Sequence, residues 1–433
     1  MSANFFSVIN RASLRDVAFS EKALFVLLFL FPIFSLSIRH WLSGLFSIIT
    51  LLALFFAWGK QKPLHKEEKI LLGIFGLYFF SILLSSTVTG WTASSYHRLG
   101  TELKYILFIP LYLYIRRYPA TWRGLLVGLP LGGIVIGFQA IYDSFFTELG
   151  GAKGIYGPII YGDFAVLLCM YSLIFGLTNR SKVWRRINLL ASGLALIAII
   201  YSGSRNAWLA AFISMVLLPY LISPRTTFKR VGSWYLFIFA AVSIVAISSP
   251  SSITSRLGIV GEEISRYFQG TSGYQEEKLF SSSVGVRLEL WRSSILIIKD
   301  NAVLGIGPGN MLEAINKLVE EERVNKAMYR DPIKVGMLHV HNAYFEVAAT
   351  QGILGILALL LFLFYPLVIF YKNIDYDRRI ASLGILLMCG YIIFSLTEVP
   401  YIHDNFSSIF LIFLSVFFAW IMEAKYTNKN HQE

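Results

Sequence analysis

The sequence predicts an all-α polytopic membrane protein with about twelve transmembrane helices and one large outer loop of amphipathic helices. Hydrophobic residues make up 56% and aromatic residues 15% of the 433 residues, and the mean hydropathy is +0.61. Soluble globular proteins are less apolar than this. Apolar runs of about 17–25 residues recur along the chain, and such runs can cross a hydrocarbon layer about 30 Å thick. These observations indicate an integral membrane protein.

The apolar runs flank a single long polar segment. The sequence therefore divides into an N-terminal membrane bundle (1–248), a large loop (249–343) and a C-terminal membrane bundle (344–433). The predicted spans are Ala23–Ile38, Trp41–Trp58, Ile70–Ser86, Leu103–Ile115, Gly124–Tyr142, Pro158–Thr178, Ile187–Ser202, Asn206–Ile222, Ser233–Ser248, Tyr344–Tyr371, Ile380–Thr397 and Phe406–Met422.

Lysine and arginine concentrate in alternate connectors, and basic connectors stay on the cytoplasmic side of a membrane. The basic connectors include residues 60–69, 180–186 and 372–379. We therefore expect cytoplasmic N- and C-termini and an outer location for the large loop. The net charge of +12 follows from this topology, so it does not indicate nucleic-acid binding. Cys169 and Cys389 lie inside predicted spans, so no disulfide framework is expected.

The large loop is polar but balanced in charge, with eleven basic and eleven acidic residues. Apolar residues at helical spacing predict an amphipathic helix over 253–268, a second helix over 286–299 and a third over 311–329. A Gly- and Ser-rich stretch, 269–283, predicts a loop between the first two. The polar segment ends in His339-Val340-His341-Asn342, where the last group of spans begins.

The residues around His341 resemble the signature of bacterial O-antigen ligases. The chain reads His341-Asn342, nine residues, Gly352, two residues and Gly355. Three further marks agree with it: Ser204-Arg205 after a membrane span, Arg287 four residues before Trp291, and Gly305-x-Gly307 in the same loop. The resemblance covers roughly residues 154–360, and it extends to the first helices only by topology.

This resemblance implies a GT-C-like glycosyltransferase of the bacterial inner membrane. The donor would be an O-antigen glycan on undecaprenyl diphosphate, and the acceptor a sugar of the lipid A core at the periplasmic face. Membrane lipids are the other expected partners. O-antigen polymerases and O-linking oligosaccharyltransferases belong to the same superfamily and stay alternatives. A flippase or transporter for the lipid-linked glycan is a further alternative, although no internal repeat is visible.

The chemistry of such a transfer indicates candidate residues. Guanidinium groups stabilise the charge on a leaving diphosphate through bidentate hydrogen bonds, which favours Arg205 and Arg287. A sugar hydroxyl needs a base, and histidine titrates near neutral pH, which favours His341. The possible supporting residues are His339, Asn342, Asp163 and Arg292.

Structural roles compete with each of these assignments. Arg205 is also a typical interfacial arginine, Arg287 a typical exposed loop residue, and Asp163 a typical buried packing partner. His341 would then only help to begin a helix, where Asn342 is a natural N-cap. Gly352 and Gly355 lie one turn apart and predict close helix packing.

Metal-dependent chemistry is not indicated by the sequence. His339 and His341 have metal-binding side chains, but no carboxylate or cysteine stands at ligand spacing beside them. Asp375-Tyr376-Asp377 has the Asp-x-Asp form of metal-dependent glycosyltransferases, yet it lies in a basic cytoplasmic connector, which favours a solvated turn. We therefore expect a metal-independent reaction without a cofactor.

Overall fold

The computed structural model describes residues 19–58, 62–147, 151–223, 283–331 and 338–430, together with Ser265 and Tyr267. These residues contain fourteen α-helices, numbered here in chain order. The helices are α1 (Phe19–Leu30), α2 (Trp41–Phe56), α3 (Lys66–Thr89), α4 (Ala93–Glu102), α5 (Lys104–Arg117), α6 (Trp122–Phe146), α7 (Pro158–Thr178), α8 (Lys182–Ser202), α9 (Arg205–Ile222), α10 (Ser283–Asp300), α11 (Met311–Glu320), α12 (Ala343–Lys372), α13 (Arg378–Phe394) and α14 (Asp404–Asn430).

The polytopic all-helical architecture is confirmed. Seven of the described helices are long and apolar enough to cross a membrane, namely α3, α6, α7, α8, α9, α12 and α14. Each predicted span overlaps a helix except the ninth, 233–248, which lies outside the described residues. Twelve spans and the GT-C class therefore stay predictions.

The first predicted span ends earlier than the sequence indicates. The apolar run continues to Ile38, but α1 ends at Leu30. Pro32 follows, and proline lacks the N–H that an α-helix needs to bond back to the preceding turn. A series of turns therefore covers residues 31–40 before α2 begins.

The chain forms two compact units, each assembled from distant parts of the sequence. The first unit comprises residues 1–65, 107–204 and 408–433, and the second comprises 66–106 and 205–407. In the first unit α8 packs against both α6 and α7, and α6 also packs against α1.

Three glycines of α6 allow it to approach α1 closely. Gly124, Gly128 and Gly132 repeat every four residues and so share one helix face. A Cβ at each of them would overlap a backbone carbonyl oxygen, from Phe25, Phe29 and Pro32 respectively. Small residues at this spacing are typical of tightly packed helices in membranes.

The second unit is organised around α12, which packs against α3, α10 and α13, while α13 also packs against α9.

The described part of the polar segment has its own apolar core. Leu290 and Ile297 of α10 contact Met311 and Ile315 of α11 in this core. The core also includes Val340 and Ala349, so the polar segment is folded onto the start of α12.

The polar segment agrees with the sequence in its second helix but not in its third. The second predicted helix, 286–299, is confirmed as α10. The third was expected to continue to Tyr329, but α11 ends at Glu320. The amphipathic helix predicted over 253–268 lies outside the described residues except Ser265 and Tyr267.

A C-terminal capping motif ends α11. The Arg323 amide donates to the Leu318 carbonyl, and the amide of Glu322, which has a φ of 55°, donates to Val319. These two bonds form the Schellman arrangement that ends helices. Three successive glutamates at this point also oppose the helix dipole.

The signature glycine Gly352 interrupts α12 instead of only packing it against a neighbour. Its φ and ψ are 64° and −157°, a region that is open almost only to glycine. The loop before α11 enters this break. The Ile306 amide donates to the Ala349 carbonyl (3.0 Å), and the Gly307 amide donates to the Thr350 carbonyl (2.9 Å).

The loop before α11 packs tightly against the break in α12. A Cβ at Gly352 would overlap the Val303 backbone and lie 2.6 Å from the Leu304 nitrogen. The Ser85 hydroxyl of α3 binds the carbonyls of Leu304 (2.6 Å) and Thr350 (2.7 Å), which joins the loop, α12 and α3. Gly355 has a different role, since a Cβ there would overlap the side chain of Gln351.

We predict that Gly352→Ala lowers the free energy of unfolding by about 1–3 kcal/mol, because alanine disfavours this backbone conformation. Its Cβ would also displace the loop. The measurement is the apparent melting temperature of the purified protein in detergent. Gly76→Ala is the matched control, since Gly76 lies in α3 with nothing within 4 Å of an added Cβ. Equal melting of Gly352→Ala and wild type would contradict the prediction.

Candidate functional site

The chain turns sharply at His341 immediately before α12. His341 has a φ of 52°, an uncommon conformation for a residue with a side chain. Asn342 is the N-cap of α12, and its Oδ1 accepts a hydrogen bond from the Phe345 amide at 3.0 Å. Its Nδ2 donates to the Leu396 carbonyl at 2.9 Å. The turn is therefore tied to the connector between α13 and α14, residues 395–403.

That connector supplies a buried carboxylate, Glu398, which three histidines surround. Its Oε2 lies 3.3 Å from Nδ1 of His341. Its Oε1 lies 3.5 Å from Nδ1 of His339 and 3.4 Å from Nε2 of His403. The Val399 amide also donates to Oε1, at 3.0 Å. The Glu398 side chain is 6% exposed, whereas that of His341 is 34% exposed, so His341 is open to a substrate.

The environment favours an ionised Glu398 beside a neutral His339. Burial alone would raise the pKa of Glu398, but its bonds to His341 and His403 and the nearby His339 together hold this pKa below its ordinary value. Burial lowers the pKa of His339 to about 3, and Glu398 only partly opposes this effect. The negative charge of Glu398 therefore lies next to three imidazole rings.

Arg287 lies on the face of α10 that points toward the His341 turn. Trp291 follows it by one helical turn, and residues four apart share a face. The Trp291 indole donates to the Val340 carbonyl at 3.0 Å, directly before His341. Partial burial and the like charge of Arg205 lower the pKa of Arg287, while the charge of Glu398 opposes them. Arg205, Arg287 and Glu398 therefore act on one another electrostatically.

Neither Arg205 nor Arg287 forms a hydrogen bond or ion pair with another of the described residues. Arg205 is exposed at the start of α9, and Arg287 is half-buried. Two guanidinium groups with available donors are suited to bind an anion such as a diphosphate.

A second charged cluster supports the turn from inside the protein. Arg98 of α4 bonds to Glu102 (2.5 Å) and lies 3.9 Å from Glu346 of α12. Glu346 accepts a hydrogen bond from the Val340 amide at 3.1 Å. Burial raises the pKa of Glu102, although Arg98 opposes the rise. Since Val340 precedes His341, this cluster holds the backbone from which His341 projects.

Sequence reasoning missed this second cluster. Arg98 lies between the predicted spans Ile70–Ser86 and Leu103–Ile115, where α4 was not predicted. Two signals were available: Arg98 and Glu102 have the spacing of a helical ion pair, and Glu346 is an acid inside an apolar span.

The structure brings some predicted site residues together and leaves others apart. His339 and His341 lie side by side, with ring centroids 4.2 Å apart. Arg292 forms an ion pair with Glu289 of the same helix at 2.8 Å, so its guanidinium already has a partner. Asp163 is buried in α7, in the first compact unit. Asn342 has the capping role that its position predicts.

The competing Asp375-Tyr376-Asp377 motif has a structural role. Asp375 forms an ion pair with Arg378 at 2.8 Å. Asp377 is the N-cap of α13, where its side chain accepts from the Ile380 amide. This agrees with the solvated charged turn that its sequence context favours.

The sequence argument against a nearby metal ligand is wrong in one respect. A carboxylate does accompany the histidines, because folding brings Glu398 beside His339 and His341. The ligating atoms of His339, Glu398 and His403 all lie within 4.8 Å of one another. Sequence spacing gave no sign of this, because Glu398 follows the histidine pair only after two complete helices.

Comparison with known proteins agrees with the sequence signature. Residues 189–360 match a family model described as O-Antigen ligase, which agrees with the family that the sequence resembles. The match includes Arg205, Arg287, His341 and Gly352, whereas Glu398 lies outside it. An uncharacterized protein of Haemophilus influenzae is 25% identical over 360 residues, which cover 81% of this chain and 86% of that protein. This match and the seven apolar helices support a membrane protein with an O-antigen ligase or polymerase type of function.

Proposed function

We propose that this protein is an O-antigen ligase of the bacterial inner membrane. It transfers a glycan from undecaprenyl diphosphate to a sugar hydroxyl of the lipid A core at the periplasmic face. The observation that supports the proposal is that His341 Nδ1 lies 3.3 Å from Glu398, while Trp291, one turn after Arg287 on α10, donates to the Val340 carbonyl directly before His341. A base and an anion site are the two elements that such a transfer needs.

His341 acts as the general base. Its Nδ1 faces Glu398 Oε2 at 3.3 Å, which favours the tautomer with the proton on Nδ1 and leaves Nε2 to accept a proton. Nε2 takes the proton of the acceptor hydroxyl as the oxygen attacks the anomeric carbon of the donor glycan. The bond between that carbon and the diphosphate oxygen breaks in the same step, so the anomeric configuration inverts.

Arg205 and Arg287 stabilise the diphosphate as it leaves. Negative charge grows on the phosphate oxygen when the glycosidic bond breaks, and preorganised cationic donors act where that charge develops. Burial of Arg98 between Glu102 and Glu346 commits it to the fold, so it is not assigned to the donor. With these residues the transfer step itself requires no metal ion.

O-antigen polymerase is the second candidate, because the matching family supports ligase and polymerase types of function alike. Ligase and polymerase differ in the acceptor, which is a lipid A core sugar for the former and a second carrier-linked glycan for the latter. Purified protein supplied with one defined acceptor at a time distinguishes them. A transporter would give no new covalent product with either acceptor.

We predict that His341→Ala abolishes transfer, lowering the rate by about 10²–10⁴-fold, because the acceptor hydroxyl loses its base. The measurement is glycan transfer by purified protein, together with accumulation of carrier-linked glycan in cells. His97→Ala is the matched control, since His97 is exposed on α4 and should keep wild-type activity. Normal transfer by a well-folded His341→Ala protein would refute the proposed mechanism.

Replacement of Arg287 by lysine tests the phosphate site. Lysine keeps the charge but loses the bidentate fork, so Arg287→Lys should slow transfer about 10–100-fold, the equivalent of one charge-assisted hydrogen bond. Steady-state kinetics at varied donor concentration measure the effect. Arg323→Lys is the control, because Arg323 pairs with Asp300 on the exposed surface. An equal effect of both variants would remove Arg287 from the donor site.

The role of Glu398 is tested by Glu398→Gln, a change of similar size that removes the charge. We expect transfer to fall about 10–100-fold, as is usual when the group that orients a functional histidine is replaced. Glu313→Gln on the exposed face of α11 is the control. If Glu398→Gln retains full activity while His341→Ala is inactive, then Glu398 does not orient the base.

A further inference from the structure

The two oxygens of Glu398 face different partners. Oε2 faces His341, while Oε1 lies 3.5 Å from His339 Nδ1 and 3.4 Å from His403 Nε2. Charge-assisted hydrogen bonds between nitrogen and a carboxylate are about 2.7–2.9 Å long, so all three imidazole contacts of Glu398 are long for such bonds, and those of Oε1 are the longest. In addition, His339 Nδ1 is a buried atom with no hydrogen-bond partner among the described residues.

We propose that His339 Nδ1, His403 Nε2 and Glu398 Oε1 bind one divalent transition-metal ion of the zinc class. Zinc bonds to imidazole nitrogen and carboxylate oxygen are about 2.0–2.2 Å long, so two ligands of a tetrahedral site lie about 3.3–3.6 Å apart. The two measured ligand separations fall in this range. The third pair, His339 and His403, lies within 4.8 Å, so it would have to close by up to about 1.5 Å on metal binding.

The donor set determines which class of ion is favoured. Two imidazoles and one carboxylate suit zinc, cobalt and similar ions, whereas magnesium and calcium require mainly oxygen ligands. Three protein ligands also leave one coordination position for water or another ligand.

The ion links two separate segments of the second compact unit. His339 precedes α12, whereas Glu398 and His403 belong to the connector between α13 and α14. By holding Oε1, the ion fixes the carboxylate so that Oε2 faces His341. The ion is therefore a positioning element and takes no part in the transfer step. Only this consequence for His341 rests on the proposed function, because metal binding itself does not require it.

Metal content of the full-length protein tests the proposal. The protein is purified without a polyhistidine tag, stripped with EDTA in detergent, incubated with Zn²⁺ or Co²⁺ and separated from free ion. We expect one equivalent per chain by elemental analysis and, for Co²⁺, visible absorption typical of a low-coordinate site. Binding no greater than in a buffer control would overturn the proposal.

Variants show whether the bound ion occupies the proposed site. His339→Ala, Glu398→Gln and His403→Ala should each lose the equivalent, whereas His341→Ala and the exposed-site control His97→Ala should retain it. Each variant is first checked for a single monodisperse peak in gel filtration, and a variant that fails is replaced by His403→Gln or Glu398→Asp. Retention of the ion by all three ligand variants would overturn the assignment.

Transfer assays separate this proposal from the proposed function. Removal of the ion should slow transfer about tenfold, as for other changes next to a functional histidine, and added Zn²⁺ should restore the rate. If the stripped protein binds no ion but transfers glycan normally, the metal proposal fails alone. If an ion binds through the three ligands but no glycan is transferred, the proposed function fails and the metal site remains.

Discussion

Burial of the Glu398 carboxylate is the constraint on which the arrangement of this site depends. A charged carboxylate is costly to remove from water unless other groups satisfy it. Here the Val399 amide and the imidazoles of His341 and His403 do so. Satisfying one charge therefore requires the segment before α12 and the connector before α14 to meet. The same requirement orients His341, so stability and function share a single interaction.

The break in α12 provides the second half of this arrangement. Gly352 opens the helix three turns beyond His341, and the loop before α11 binds the exposed carbonyls of Ala349 and Thr350. This anchors the polar segment that carries Arg287. The spacing between histidine and glycine in the signature is thus the spacing between His341, the proposed base, and the break in α12 that anchors the polar segment.

The sequence predicted the fold better than the site, for a physical reason. Apolar run length is a local property, and it located α7 to the residue. The failures occurred where a local pattern was overruled: Pro32 shortened α1, and a Schellman cap at Glu322 ended α11. His341, Arg205 and Arg287 were identified by resemblance and by their chemistry. Glu398 and Arg98 were missed because their importance depends on contacts with residues far away in sequence.

The distribution of charges explains why the anion site lies where it does. Arg98 is enclosed with Glu102 and Glu346, and its charge is used inside the protein. Glu398 is satisfied mainly by histidines, so it does not require an arginine as its partner. Arg287 is acted on by the like charge of Arg205 and by the opposite charge of Glu398. Like charges repel each other unless an anion lies between them, so in the proposed reaction the donor diphosphate would offset the repulsion between Arg205 and Arg287.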